Sequence, residues 1–169
     1  MAYYFVDESK SRGYSLVAVE VDGRRVAAVR SVMRQMLLAG QERVHFTKER
    51  DSRRRTIVSR MATVPLRVVV FTSTAREREA RTRCLTQLVS IAHESSHFVI
   101  EQDDSLREED ARQLSVLVRS GTSHHSFELV AARHDPGLWC ADAMAWPHQR
   151  GGEWTARVAM HEWKRVVLH

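Results

Sequence analysis

The sequence predicts a single α/β domain, residues 1–169, built as a mixed β-sheet flanked by helices. Three observations carry that expectation. Residues 3–6 and 14–21 are rich in aromatic and β-branched side chains and are separated by a polar turn, the pattern of a β-hairpin. Helical periodicities and strand-like runs then alternate along the chain. One of those runs, residues 66–72, is apolar almost throughout, as a strand covered on both faces must be.

The elements follow in order. Tyr3-Tyr4-Phe5-Val6 reads as a buried strand that stops on Asp7-Glu8-Ser9, with a turn over residues 9–13. The second strand is expected to end at Asp22-Gly23, read as the close of the hairpin. Apolar residues at helical spacing from Val26 predict a helix to Leu38, with Gly40 as its stop. Residues 42–46 are too few for a helix and read as extended. Thr47 is a candidate N-cap for a helix reaching Ala62. A helix over residues 75–93 and a strand over 98–101 follow. Ser105 and Glu108 have the spacing of a capping box for a helix that ends before Gly121. A fifth strand spans residues 126–131. Asp135-Pro136 places an N-cap and first-turn proline at the start of a helix that Pro147 is expected to kink or end. Gly151-Gly152 breaks the chain, and a terminal helix is expected over residues 153–163. No repeat, low-complexity tract or linker interrupts this order.

Composition narrows the function classes. A hydrophobic content of 43% and a charged content of 28% are those of a globular protein, and no apolar run approaches the roughly 20 residues of a membrane span. The N-terminus lacks the zones of a signal peptide, and two cysteines make no disulfide framework; a reducing cytoplasm is the expected compartment. The net charge of +5 suits an anionic partner such as nucleic acid without requiring one. The basic residues are almost all arginine, a bias that genome composition also produces.

Acids recur at the ends of apolar segments. Asp7 ends the first strand and Glu101 the fourth, while Asp142 lies in a helix whose neighbours Trp139, Ala141, Ala143, Ala145 and Trp146 are small or apolar. A buried carboxylate costs desolvation energy unless something offsets it. Turn formation at Asp7 and Glu8, and a structural network at Asp142, are the plain alternatives to a site. If the three acids converge, oxygen-only ligation suits Mg²⁺ or Mn²⁺ and not zinc. Such ions assist phosphodiester cleavage by activating water and stabilising the leaving oxygen.

Several motifs together resemble a known family. They are the strand ending in Asp7-Glu8-Ser9, Val44-His45-Phe46 ahead of an arginine-rich helix, Val99-Ile100-Glu101, and Leu138-Trp139-Cys140-Ala141-Asp142-Ala143-Met144-Ala145-Trp146 with Arg150-Gly151-Gly152-Glu153-Trp154 after it. The set resembles the bacterial domain of unknown function 3800 family, in an actinobacterial-type branch, over nearly the whole chain. The resemblance implies a ribonuclease H-like fold and a metal-dependent nuclease-like site, with Asp7, Glu101 and Asp142 on its acidic positions and Glu8 as an auxiliary or structural neighbour. Many members carry Glu two residues before the His45 position; here Arg43 stands there, and Glu42 is one step out of register.

Other signals in the sequence admit simpler readings. His93-Glu94-Ser95-Ser96-His97 matches the zinc-protease pattern, but Ser95-Ser96 ends a helix and His97 opens a strand, so the two histidines lose their common face. His45 is a candidate general base or metal-proximal residue, and equally a half-buried structural histidine. Arg50, Arg53, Arg54 and Arg55 form a basic cluster able to contact phosphates, or simply a solvated helix face. His124-His125 reads as an exposed loop, Trp139 and Trp146 as core, and Cys140 as core. The leading expectation is a nuclease-like metal-dependent hydrolase acting on nucleic acid. Its rival is a non-catalytic protein of the same fold that binds nucleic acid or a protein partner. A dimer through an edge strand or the aromatic C-terminal segment is compatible with the sequence, and nothing demands it.

Overall fold

The computed structural model describes residues 1–10, 13–120 and 123–169; the middle of the expected 9–13 turn, and the expected helix stop at Gly121, lie outside the described residues. The strands are β1 (Ala2–Ser9), β2 (Tyr14–Asp22), β3 (Arg67–Ser73), β4 (Ser95–Glu101), β5 (His124–Val130) and β6 (Glu162–Leu168). The helices are α1 (Val26–Arg34), α2 (Asp51–Met61), α3 (Glu77–Ile91), α4 (Arg107–Arg119), α5 (Pro136–Arg150) and α6 (Glu153–Arg157). The six strands form one mixed sheet in the order β5-β4-β1-β2-β3-β6. The run β1-β2-β3 is antiparallel; β4 lies parallel to β1, β5 to β4 and β6 to β3.

The alternation of side chains along each strand separates two cores. Phe5, Val17, Val19, Val68, Val70 and Val99 face α1, α2 and α5. Tyr4, Val6, Leu16, Phe71, Phe98 and Ile100 face α3 and α4. The first face positions the candidate site, because α5 packs across the central strands there. Its residues Leu138, Trp139, Cys140, Ala141, Ala143, Met144 and Ala145 are all buried. Gly137 sits so close to β1 that a Cβ would overlap the Phe5 ring. Asp135 caps the helix by accepting the Gly137 N–H at 2.8 Å, as Asp135-Pro136 implied. The same carboxylate takes two hydrogen bonds from Arg30 of α1, and that guanidinium lies over Phe5, 5.4 Å from the ring centre. One ion pair therefore fixes the start of α5 against both α1 and β1.

The structure departs from the sequence reading in particular places. The expected terminal helix stops at Arg157, and residues 162–168 instead add an edge strand beside β3. Pro147 does not end α5; its carbonyl accepts the N–H of Gly151, and Gly151 and Gly152, both at positive φ, then turn the chain. Helix α1 ends at Arg34, four residues before Leu38. Thr47 lies in a 3₁₀ turn, Phe46–Lys48, and α2 begins later without a side-chain cap. The Ser105–Glu108 capping box does not form: Asp103 accepts from the N–H and hydroxyl of Ser105, which holds that residue outside α4. Asp22 caps a 3₁₀ turn through the Arg24 N–H instead of closing the hairpin. His124 and His125 belong to β5. Among the described residues no helix is long and apolar enough to cross a membrane.

Candidate active site

Parallel strands β1 and β4 are paired in register from Ala2 with Ser96 to Val6 with Ile100. One step further brings Asp7 beside Glu101. By the two-residue alternation both point to the face that carries Phe5 and Val99, the face covered by α5. Helix α5 presents its one partly exposed acid there, since Asp142 and Trp146, four residues apart, are the positions between residues 136 and 147 that escape full burial. Two independent pieces of geometry, strand register and helix phase, thus deliver three carboxylates to one place.

They line a cleft of about 480 Å³ together with Glu8, Lys10, Arg43, His45, Asp103 and Trp146. The ionisation of Asp7 is strongly perturbed. Burial, then the charges of Glu101 and Asp142, then a hydrogen bond to Glu101 hold its carboxyl well above the ordinary aspartate range; the Glu8 N–H, donating to Asp7 Oδ1 at 2.7 Å, offsets only part of this. Asp142 Oδ2 accepts the backbone N–H of Phe46 at 2.9 Å, which pins the segment ahead of α2 to α5. His45 Nδ1 lies 3.5 Å from the same oxygen and is buried without a hydrogen-bond partner. Arg43 Nη1 stands 3.4 Å from Glu101 Oε1.

Glu8 is held differently. It follows Asp7 on β1 and so faces the opposite side of the sheet, where Arg81 Nη1 donates to its Oε2 at 2.6 Å and the Tyr14 hydroxyl at 2.9 Å. Lys10 Nζ reaches its other oxygen at 2.8 Å. Burial opposes ionisation of Glu8, but Lys10, Arg81 and Tyr14 outweigh it and hold the carboxyl below the usual glutamate range. Arg81 is itself buried and paired with the buried Asp110 through three hydrogen bonds. Glu8 is thus the rim of a satisfied structural network.

Among the described residues, the set of three acidic side chains whose oxygens all lie within 4.8 Å of one another is Glu8, Glu77 and Asp103. Lys10 already sits among them as their counter-ion. Asp7, Glu101 and Asp142 are more open as a group, consistent with the engagement of Asp142 by Phe46 and of Glu101 by Arg43.

The arginine cluster is mostly committed within the protein. Arg54 donates to the carbonyls of Phe46 and Thr47 and lies 4.3 Å from the Trp146 ring centre. Arg53 donates to Met36 O, and Arg55 pairs with Glu153 over Trp154. Arg50 alone of the four is exposed with its side chain in no hydrogen bond or ion pair among the described residues. The zinc-protease pattern is dismantled by the fold: His97 is on β4 with Ser126 and Glu128, and His93 pairs with Glu20. Trp139 is core, its indole N–H donated to Ala132 O; Trp146 instead lines the cleft, a role that its spacing from Asp142 could have revealed. Cys140 is buried in the core, and burial pushes its thiol up to about 12.

No family model and no curated protein matches this chain. Its fold is similar to that of a chain in the solved structure of the PCNA:RNase HII complex from Archaeoglobus fulgidus, with a TM-score of 0.55 and 13% identity over 89% of this chain and 73% of that one. At that identity the likeness is one of fold, and it bears out the ribonuclease H-like α/β expectation.

Proposed function

We propose that this chain is a nuclease-like hydrolase of nucleic-acid phosphodiesters, with a carboxylate site for Mg²⁺ or Mn²⁺ formed by Asp7, Glu101 and Asp142. The observation that carries the reading is the crowding of negative charge on Asp7 by Glu101 and Asp142. Burial together with two neighbouring negative charges disfavours the charged form of Asp7, a cost that a bound cation would offset. The donor set fits the ion: all oxygen, partly exposed to a cleft, with a buried and unpartnered His45 Nδ1 beside it. When bound, a hard divalent cation supplies charge stabilisation for a phosphoryl oxygen and activation of water.

The chain's own residues take the remaining roles. Asp7 and Glu101 fix the site to the rigid centre of the sheet, and Asp142 closes it from α5. His45, with Nδ1 turned to Asp142, has Nε2 left to accept a proton from the attacking water. Arg43 stands where it can neutralise a non-bridging phosphate oxygen. Arg50 is the exposed candidate for backbone contact with the strand. The resemblance to the domain of unknown function 3800 family points the same way.

The rival reading, a non-catalytic protein of this fold that binds nucleic acid or a protein partner, is favoured by the Arg43–Glu101 contact, an internal cation already at the site. Calorimetric titration of Mn²⁺ and Mg²⁺ into the wild type and Asp142→Asn separates the two. Saturable binding that the substitution removes supports the metal site, and nuclease assays on DNA and RNA then follow. Absence of binding in both proteins leaves Asp142 as a structural acid and favours the rival.

A further inference from the structure

A second cavity of about 320 Å³ lies beside the last turns of α5, between them, α6 and β6, lined by His148, Thr155, Val158, Ala159, His161, Trp163 and Arg165. Trp163 and Arg165 share the face of β6 that looks toward α5 and α6, and His161 immediately precedes the strand. Trp163 is locked in place, its indole N–H donated to Val158 O at 2.9 Å. The His148 ring lies nearly parallel to it, at 18° and 6.0 Å between centroids. The result is a flat aromatic wall beside small apolar side chains.

Two polar groups facing this cavity have no hydrogen-bond or ion-pair partner among the described residues. His161 is only 5% exposed, and its Nε2 is buried without a hydrogen bond. Leaving such an atom unpaired is costly, so its presence in a cavity wall points to a ligand group that completes it. Burial holds the imidazole neutral, and a neutral ring can donate or accept according to its tautomer. Arg165, two residues beyond Trp163 on the strand, is exposed, and among the described residues its side chain is in no ion pair or hydrogen bond. A ligand that fits must be flat, carry a hydrogen-bonding edge, and bear an anionic group at one end.

We propose that this cavity binds a nucleotide, its base against Trp163 and His148, the polar edge of the base on His161 Nε2, and its phosphate on Arg165. Base–aromatic stacking with cationic capture of the backbone is how proteins hold single-stranded nucleic acid without reading sequence. Two sources supply the same chemistry: a free mononucleotide, or one nucleotide of a strand that also occupies the carboxylate cleft. His148 is six residues from Asp142, about 9 Å along the helix axis. The strand version rests on the nuclease reading; the free-nucleotide version does not.

The test is titration of adenosine 5′-monophosphate, adenosine and inorganic phosphate into the full chain in EDTA, followed by calorimetry and by NMR of the Trp163 indole and His161 ring. Working in EDTA keeps the result independent of the carboxylate site. Saturable binding of the monophosphate that shifts both resonances, exceeds that of either fragment and weakens about tenfold or more in Arg165→Gln is the expected result. Arg165 is a surface residue, so the variant tests the site without threatening the fold. Absence of saturable binding, binding unchanged in Arg165→Gln, or shifts centred on Asp7, Glu101 and Asp142 would overturn the proposal. A 5′-phosphorylated dinucleotide distinguishes the sources: tighter binding than the mononucleotide assigns a strand subsite, and equal binding a free-nucleotide site.

Discussion

Asp7 and Glu8 are neighbours in sequence with opposite electrostatic fates, because a strand sends consecutive side chains to opposite faces. Asp7 meets two carboxylates and has its pKa raised; Glu8 meets Arg81 and Lys10 and has its pKa lowered. The consequences for stability have opposite sign. The raised Asp7 contributes fully below the unfolded value of about 3.9, and that contribution is lost as pH climbs through its folded value. The lowered Glu8 contributes above the ordinary glutamate range and loses its contribution as pH falls through its folded value. In metal-free protein, Asp7→Asn is therefore expected to raise Tm by a few degrees at pH 7, with the gain shrinking toward pH 4. Glu8→Gln is expected to destabilise by about 2 kcal/mol at pH 7, through its lost charge-assisted hydrogen bonds, and by less in acid. Thermal melts of the three proteins at both pH values check this. A stabilising effect of Asp7→Asn that does not change with pH would show that Asp7 is not crowded by charge.

At the scale of elements, α5 is the part on which the site depends, and its contact with β1 is unusually close. Gly137 is where the helix comes nearest, against Phe5. An alanine in a helix is ordinarily favourable by about 1 kcal/mol over glycine, but overpacking a well-filled core costs about 1–3 kcal/mol. The buried Phe5 ring has nowhere to go, so Gly137→Ala is expected to lower stability by about 1–2 kcal/mol. Because Asp142 rides on the same helix, metal affinity should fall with it. Denaturant unfolding and Mn²⁺ calorimetry on the variant measure the two effects; a stabilised variant would mean that α5 shifts freely on the sheet. This contact was invisible in the sequence, where Gly137 is simply a weak helix former after a proline. What was legible is the cap: Asp135-Pro136 announced the start of α5, and the acid among apolar neighbours announced Asp142. Strand β6 was hidden for a different reason. It is an edge strand with charged residues on both faces, Glu162 and Lys164 on one and Arg165 on the other, so its apolar alternation is diluted, and the short α6 before it suggested continued helix.

At the scale of the whole molecule, the three acids illustrate what sequence order can and cannot convey. Each was marked locally, by an acid closing an apolar run, but their meeting depends on β1 and β4 being parallel neighbours and on α5 crossing the same face. Residues 7, 101 and 142 share no local signal of proximity. Nor could the sequence tell that Glu8 turns away, or that Arg53, Arg54 and Arg55 are spent on Met36, Phe46, Thr47 and Glu153.

The convergence has a cost, since the folded protein holds together charges that the unfolded chain keeps apart, and a cation that binds the folded state alone should return that energy. At a free Mn²⁺ concentration of about 100 times Kd, the linkage gives about 2.7 kcal/mol, which for a chain of this size is a rise in Tm of about 5–10 °C. The rise should vanish in Asp142→Asn. It should grow in Arg43→Gln, because the guanidinium 3.4 Å from Glu101 competes with the metal for that carboxylate. Melting curves with EDTA and with Mn²⁺ on the three proteins decide the matter. Equal shifts in wild type and Asp142→Asn would place the ion elsewhere, the Glu8–Glu77–Asp103 cluster around Lys10 being the next candidate to test by Glu77→Gln. A smaller shift in Arg43→Gln than in wild type would instead make Arg43 a support of the site, ordering Glu101 for the cation.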